Sequence, residues 1–142
     1  MSAVRLGAGA LGLGAAALLL ARRHYVLVAV TGVSMLPALH PGDRVLVRRA
    51  TAGLRPGQLV VARRPRFGRR WKDPVPAPEQ PHWLVKRVYA VDGEGGDLVL
   101  RGDNAAQSWD SRQWGPCPRD LVLGVVVRTF PAGPPVRKVP PA

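Results

Sequence analysis

Residues 6–21 form an unbroken run of Leu, Ala and Gly, with Arg5 on one side and Arg22-Arg23 on the other. A spanning helix needs about 20 apolar residues, and flanking arginines extend a shorter run by laying their stems along it. The pattern predicts a retained N-terminal transmembrane anchor within residues 1–24. A cleaved secretory leader is the rival reading, but Leu18-Leu19-Leu20 and the paired arginines fit a cleavage region poorly. After Arg23 the pattern changes to short β-branched runs separated by Gly/Pro turns, which predicts strands over 25–30, 44–48, 59–62, 83–91, 98–101 and 121–128. Pro41-Gly42-Asp43, Pro56-Gly57 and the stretch 92–97 supply turns. Residues 63–81 are rich in Pro and Arg with little to bury, and predict a mobile loop. The Pro-rich end, 131–142, predicts a disordered tail. The fold class expected is mostly β: one small domain over 25–130, partly barrel-like, behind one N-terminal transmembrane helix.

Charge narrows the partners. The net charge is +12, and ten Arg and Lys lie between Asp43 and Asp73. That suits an anionic bilayer, where each such side chain gains roughly 1 kcal/mol; a solvated basic loop is the bland alternative. Nucleic acid is not expected as a partner, because aromatic residues make up only 6% of the chain and no basic amphipathic helix accompanies them. Cys117 is the only cysteine, so no intrachain disulfide can form. His24, His40 and His82 are scattered without a ligand pair, and no metal or other cofactor is expected.

The candidate chemistry lies in three places. Alternation along 83–91 puts Leu84, Lys86, Val88 and Ala90 on one strand face, with Val85, Arg87 and Tyr89 on the other. Lys86 therefore points with apolar neighbours. A buried lysine loses the hydration of its charge, its pKa falls, and the neutral amine can serve as a general base. Ser34 stands between Gly32, which permits a bend, and Pro37, which stiffens the chain; such a turn can expose its Oγ and aim its N–H at a developing oxyanion. Gly102-Asp103-Asn104 reads as a turn, after which Ser108 can hydrogen-bond the lysine amine, and Asp103, Asp110 and Arg112 can form a charged brace. Taken singly, these are a turn serine, a snorkelling lysine and a polar loop. Their joint occurrence, order and spacing point to a Ser/Lys nucleophilic dyad.

The run Gly32-Val33-Ser34-Met35-Leu36-Pro37, then Lys86-Arg87-Val88, then Gly102-Asp103-Asn104 with Ser108-Trp109-Asp110-Ser111-Arg112, resembles the type I signal peptidase family over residues 26–128. The resemblance implies a mostly β catalytic domain tethered by an N-terminal membrane segment, hydrolysing exported precursors after Ala-X-Ala-type sites. It implies Ser34 as nucleophile, Lys86 as general base and Ser108 as the serine that orients the lysine. Val30, Thr31, Gly32, Met35, Leu39, Leu84 and Val85 match positions at the shallow apolar pockets for substrate. Arg87 with Asp103, and Asp110 with Arg112, match structural ion pairs. The sequence departs from the family pattern at Gly32, where some members carry a serine completing the oxyanion hole, at Ala38 in place of a threonine, and at Gln58 in place of an acid.

The partners implied are signal-peptide-bearing precursors and the lipid bilayer. The location implied is the cell membrane, single-pass, with the domain on the extracytoplasmic side. The distribution of arginines, read alone, favours the opposite orientation. Three other functions remain open on the sequence: a maturation protease for one dedicated precursor, a repressor-type autoprotease (although no helix-turn-helix precedes Ser34), and a non-enzymatic basic β-module at the membrane.

Overall fold

A computed structural model of the protein describes residues 5–63, 83–93 and 96–133. The elements run α1 (Arg5–His24), β1 (Tyr25–Ala29), β2 (Arg44–Arg48), β3 (Leu59–Arg63), β4 (Trp83–Asp92), β5 (Asp97–Arg101), a 3-10 turn (Ala105–Gln107), α2 (Ser111–Trp114), a second 3-10 turn (Arg119–Leu121) and β6 (Val122–Phe130). The six strands form one antiparallel sheet in the order β1-β2-β6-β3-β4-β5. Each expected strand forms to within two residues. The expected basic loop, 63–81, lies outside the described residues save for Arg63, and the tail does so from residue 134 onward.

β6 fills the centre of the sheet. It carries apolar residues on both faces, as a doubly covered strand does. Val122 and Val125 join one buried cluster, with Leu54, Val60, Ala62, Val88, Leu98, Leu100 and Cys117. Leu123 and Val126 pack on a second cluster made by Val30, Met35, Leu39, Val45, Val47 and Val61. The sheet therefore has a core on each side. Gly124 permits the close approach of β2, because a methyl group there would stand 2.8 Å from the Arg48 carbonyl carbon.

The partly barrel-like closure expected from the sequence is not what forms: the sheet is open, with β1 and β5 at its edges. The outer side of β5 is taken up locally. Leu98 and Cys117 exchange two backbone hydrogen bonds, at 2.8 and 2.7 Å, and the Leu100 N–H donates to Ser111 Oγ at 2.8 Å. The segment around α2 covers the edge that a barrel would close with another strand.

The helix expected at the N-terminus forms as α1. Among the described residues, no helix is long and apolar enough to cross a membrane. Leu13, Leu18, Leu19 and Leu20 are exposed along α1.

Candidate active site

Lys86 is 2% exposed in the middle of β4. It pairs with Val60 of β3, so its side chain shares a face with Val60 and Val88 of the first cluster. Its Nζ donates to Ser108 Oγ at 3.0 Å. Ser108 follows the first 3-10 turn, and its own hydroxyl donates to Asp110 Oδ2 at 2.6 Å. This polarity matters. A hydroxyl has one proton, and here the ionised carboxylate takes it, so Ser108 presents a lone pair to the lysine. A neutral amine then spends an N–H on Ser108 and keeps its lone pair for another partner.

Burial lowers the Lys86 pKa from the ordinary lysine value to about 8, with the Asp110 charge opposing the shift and Arg112 adding to it. Asp110 is itself fully buried. Desolvation alone would raise its pKa, but its hydrogen bonds prevail and hold it well below the usual carboxylate range. Arg112 donates through Nε at 2.8 Å and through Nη2 at 2.6 Å, and the Gly102 N–H donates at 2.9 Å. Asp110 also caps α2: its side chain accepts the Arg112 N–H at 3.2 Å and the Gln113 N–H, and Gln113 Oε1 in turn takes the Asp110 N–H at 2.8 Å. That reciprocal pair is a capping box. One buried carboxylate thus starts a helix, braces Ser108 and fixes Gly102.

Ser34 lies in a turn closed by Leu36 N–H to Val33 O at 3.2 Å, and the next turn follows with Leu39 N–H to Met35 O at 2.9 Å. Met35 and Leu39, each 1% exposed, anchor this segment in the second cluster. Asn104 ties it to the end of β5: its N–H donates to Ser34 O at 2.9 Å and its Nδ2 to Val33 O at 3.1 Å. Gly102 sits in the seam. A methyl group there would stand 2.6 Å from both Ser34 O and Ser108 Cβ, and closer still to Ser108 Oγ. No hydrogen bond joins Ser34 to Lys86 directly; they are linked through Ser108 and the 102–104 turn. Catalytic hydrogen bonds are commonly long before substrate binds.

Of the remaining residues singled out in the sequence, Val30 is buried with Met35 and Leu39, Thr31 and Gly32 are exposed beside Ser34, and Leu84 and Val85 are half-buried on β4. Arg87 and Asp103 form a two-bond pair at 2.8 and 2.7 Å, and Arg87 also donates to Gly57 O at 2.7 Å. Sequence reasoning treated Asn104 only as part of a turn. Among the described residues there is no group of three His, Cys, Asp or Glu that could hold a metal ion.

The model of a protein family described as "Signal peptidase, peptidase S26" matches residues 5–95, well over half of the chain. The chain belongs to this signal peptidase family. Its function is accordingly of the signal peptidase type, and the substrates of such a peptidase are precursors that carry signal peptides. No curated protein matches the chain. The match spans the Ser34 turn and Lys86 of this S26 chain; the 102–112 segment that contacts both lies beyond it.

Proposed function

We propose that the protein is a membrane-bound serine endopeptidase that removes signal peptides from exported precursors by cleavage after Ala-X-Ala-type sites, with Ser34 and Lys86 as its dyad. The observation that carries the reading is the buried Lys86 amine, bonded to Ser108 and lowered to about 8. At neutral pH roughly a tenth of such an amine is unprotonated, which is enough to supply a base without a histidine.

In this mechanism Ser34 Oγ attacks the scissile carbonyl and passes its proton to Lys86 Nζ. The Ser34 N–H stabilises the oxyanion. Collapse of the tetrahedral intermediate expels the new amino terminus, which takes the proton back from Lys86. Water then attacks the acyl-enzyme, Lys86 again accepting a proton, and the signal peptide leaves as a carboxylic acid. Ser108 orients the amine throughout. Val30, Thr31, Gly32, Leu84 and Val85 line the substrate path, with Met35 and Leu39 as its packed floor. A floor already filled by these two side chains leaves shallow recesses, which favours alanine-sized residues.

Attachment to the bilayer is supported by two adjoining features. Leu13, Leu18, Leu19 and Leu20 of α1 are exposed, and the helix runs directly into β1. On the sheet face shared by β1, β2 and β6, cross-strand pairing places Tyr25 and Leu27 beside Arg48 and Leu46, with Arg44 beside Phe130. Apolar and arginine side chains alternating on one surface suit the headgroup region of an anionic leaflet. A precursor's cleavage point lies close to the bilayer on the extracytoplasmic side, and the domain belongs there.

The test is cleavage of a panel of Ala-X-Ala precursors by the detergent-solubilised protein, beside Ser34→Ala and Lys86→Ala. Cutting after the second alanine by the parent alone is the expected result. Equal cutting by the variants would sink the dyad. If one dedicated precursor is cut and the rest of the panel is untouched, the role narrows to maturation of that substrate.

A further inference from the structure

We infer that Asn104 is a positioning residue that aims the Ser34 N–H at the oxyanion. The inference rests on the reading of Ser34 as nucleophile. It begins from an asparagine that does not do the usual thing. Asn104 occupies the N-cap position of the 3-10 turn Ala105–Gln107, where Asn ordinarily turns its side chain back onto its own helix, yet no side-chain capping bond is made. Instead its Nδ2 crosses to Val33 O, 71 residues away in sequence, while its main-chain N–H takes Ser34 O. One residue therefore holds the carbonyls of both peptide units that flank the Ser34 α-carbon.

The consequence follows from peptide geometry. The peptide between Val33 and Ser34 is planar and trans, so its C=O and N–H point in opposite directions. Fixing the Val33 oxygen on Asn104 fixes the Ser34 N–H on the far side of the same plane. Among the described residues no acceptor is bonded to that N–H, so it remains available to a developing negative charge. The Leu36 N–H also donates to Val33 O, through the oxygen's second lone pair, and closes the turn within its own segment. Asn104 adds what that local bond cannot: it sets the tilt of the turn relative to the end of β5, and so relative to Ser108 and Lys86. Only the amide nitrogen of the side chain can face a carbonyl, so its role depends on the donor and not on its shape.

The test compares Asn104→Ala and Asn104→Asp with the parent on one Ala-X-Ala precursor peptide, with thermal melts alongside. Aspartate keeps the shape and removes the donor. The expected result is a fall in kcat of about 10–100-fold in both variants, with Asp no better than Ala and KM nearly unchanged, since an oxyanion contact operates only in the transition state. Parent-like kcat in the aspartate variant, or a loss confined to KM, overturns the inference. A second readout does not depend on turnover: the amide nitrogen shift of Ser34, which reports the bonding of the preceding carbonyl, should move in Asn104→Ala in a folded chain. If the parent proves inactive on every precursor, the proposed function fails and this shift alone decides the positioning; an unmoved shift rejects it.

Discussion

Lys86 Nζ donates to Ser108 Oγ over 3.0 Å, and Ser108 in turn gives its only proton to Asp110. The direction of these two bonds determines what the lysine can do. Its lone pair, when it is neutral, has no hydroxyl proton to accept from Ser108 and stays open to another partner.

The first prediction concerns pH. With burial lowering Lys86 to about 8, kcat/KM rises with pH and reaches half its maximum near that value, because the unprotonated amine is the active form. A rate profile measured across pH about 6 to 10 checks it. A profile already flat at neutral pH would mean that some other group acts as the base.

Stability should follow the same group with a definite sign. The folded-state pKa of Lys86 is depressed, so between about 8 and the ordinary lysine value the unfolded chain binds the extra proton and stability rises with pH. Below that window the folded protein carries an ammonium in a buried site. Lys86→Met keeps the volume and removes the charge, and Ser108 keeps its bond to Asp110. The variant is expected to be inactive but to melt higher than the parent at neutral pH, with the gap closing as the pH approaches about 10. Calorimetry of the pair at several pH values decides the matter; a variant that melts lower throughout contradicts it.

Gly102→Ala places a methyl group against Ser34 O and Ser108 at once. Overpacking of this kind costs about 1–3 kcal/mol, and the seam can open only by separating the two serine segments. Activity is expected to fall by more than about 100-fold while the chain still folds. Ser108→Ala in the same background should restore part of the lost stability, because it removes the closest clashing atom, but not the activity. Denaturant melts and turnover of the single and double variants give the comparison.

Arg112→Ala leaves the Asp110 carboxylate buried with its other donors, Gly102 N–H, Ser108 Oγ and the main-chain N–H groups of Arg112 and Gln113. The substitution takes two charge-assisted bonds from a buried carboxylate, so stability is expected to fall, and the remaining bonds limit the loss. Asp110 is held below its ordinary pKa, so the stability it contributes is present at neutral pH and disappears as the pH falls through the folded-state value. Loss of Arg112 raises that value. Acid unfolding of the variant should therefore begin at a higher pH than in the parent, as circular dichroism would follow.

Local pattern revealed a good deal of this. Strict alternation around Lys86 placed the lysine on the buried face of β4, and the Gly/Pro turns fixed the strand limits. Asp110 and Arg112 were legible as a charged brace, but not the capping box that Asp110 makes with Gln113, which depends on a four-residue helix too short to show a periodic pattern. What could not be read locally was long-range. The insertion of β6 between β2 and β3 joins segments about 60 to 80 residues apart, and no periodicity encodes a strand order. The covering of the β5 edge depends on Cys117 folding back on Leu98, a contact between a strand and an irregular segment. Asn104 was invisible for the same reason: an N-cap asparagine announces a helix start, and nothing in its neighbourhood says that its side chain is used elsewhere.

The lone cysteine has a practical consequence. Cys117 is fully buried against β5, and burial, with Asp97 and Asp120 nearby, pushes its thiol up to about 12. So little thiolate exists at neutral pH that the native chain is almost silent toward maleimides and methanethiosulfonates. A cysteine engineered at any exposed position becomes the one reactive handle on the molecule without a cysteine-free background first having to be made. Spin labels or fluorophores can then be walked along β1 and the end of β6 in vesicles, and the depth of each position read from a protein whose wild-type residues contribute no label of their own.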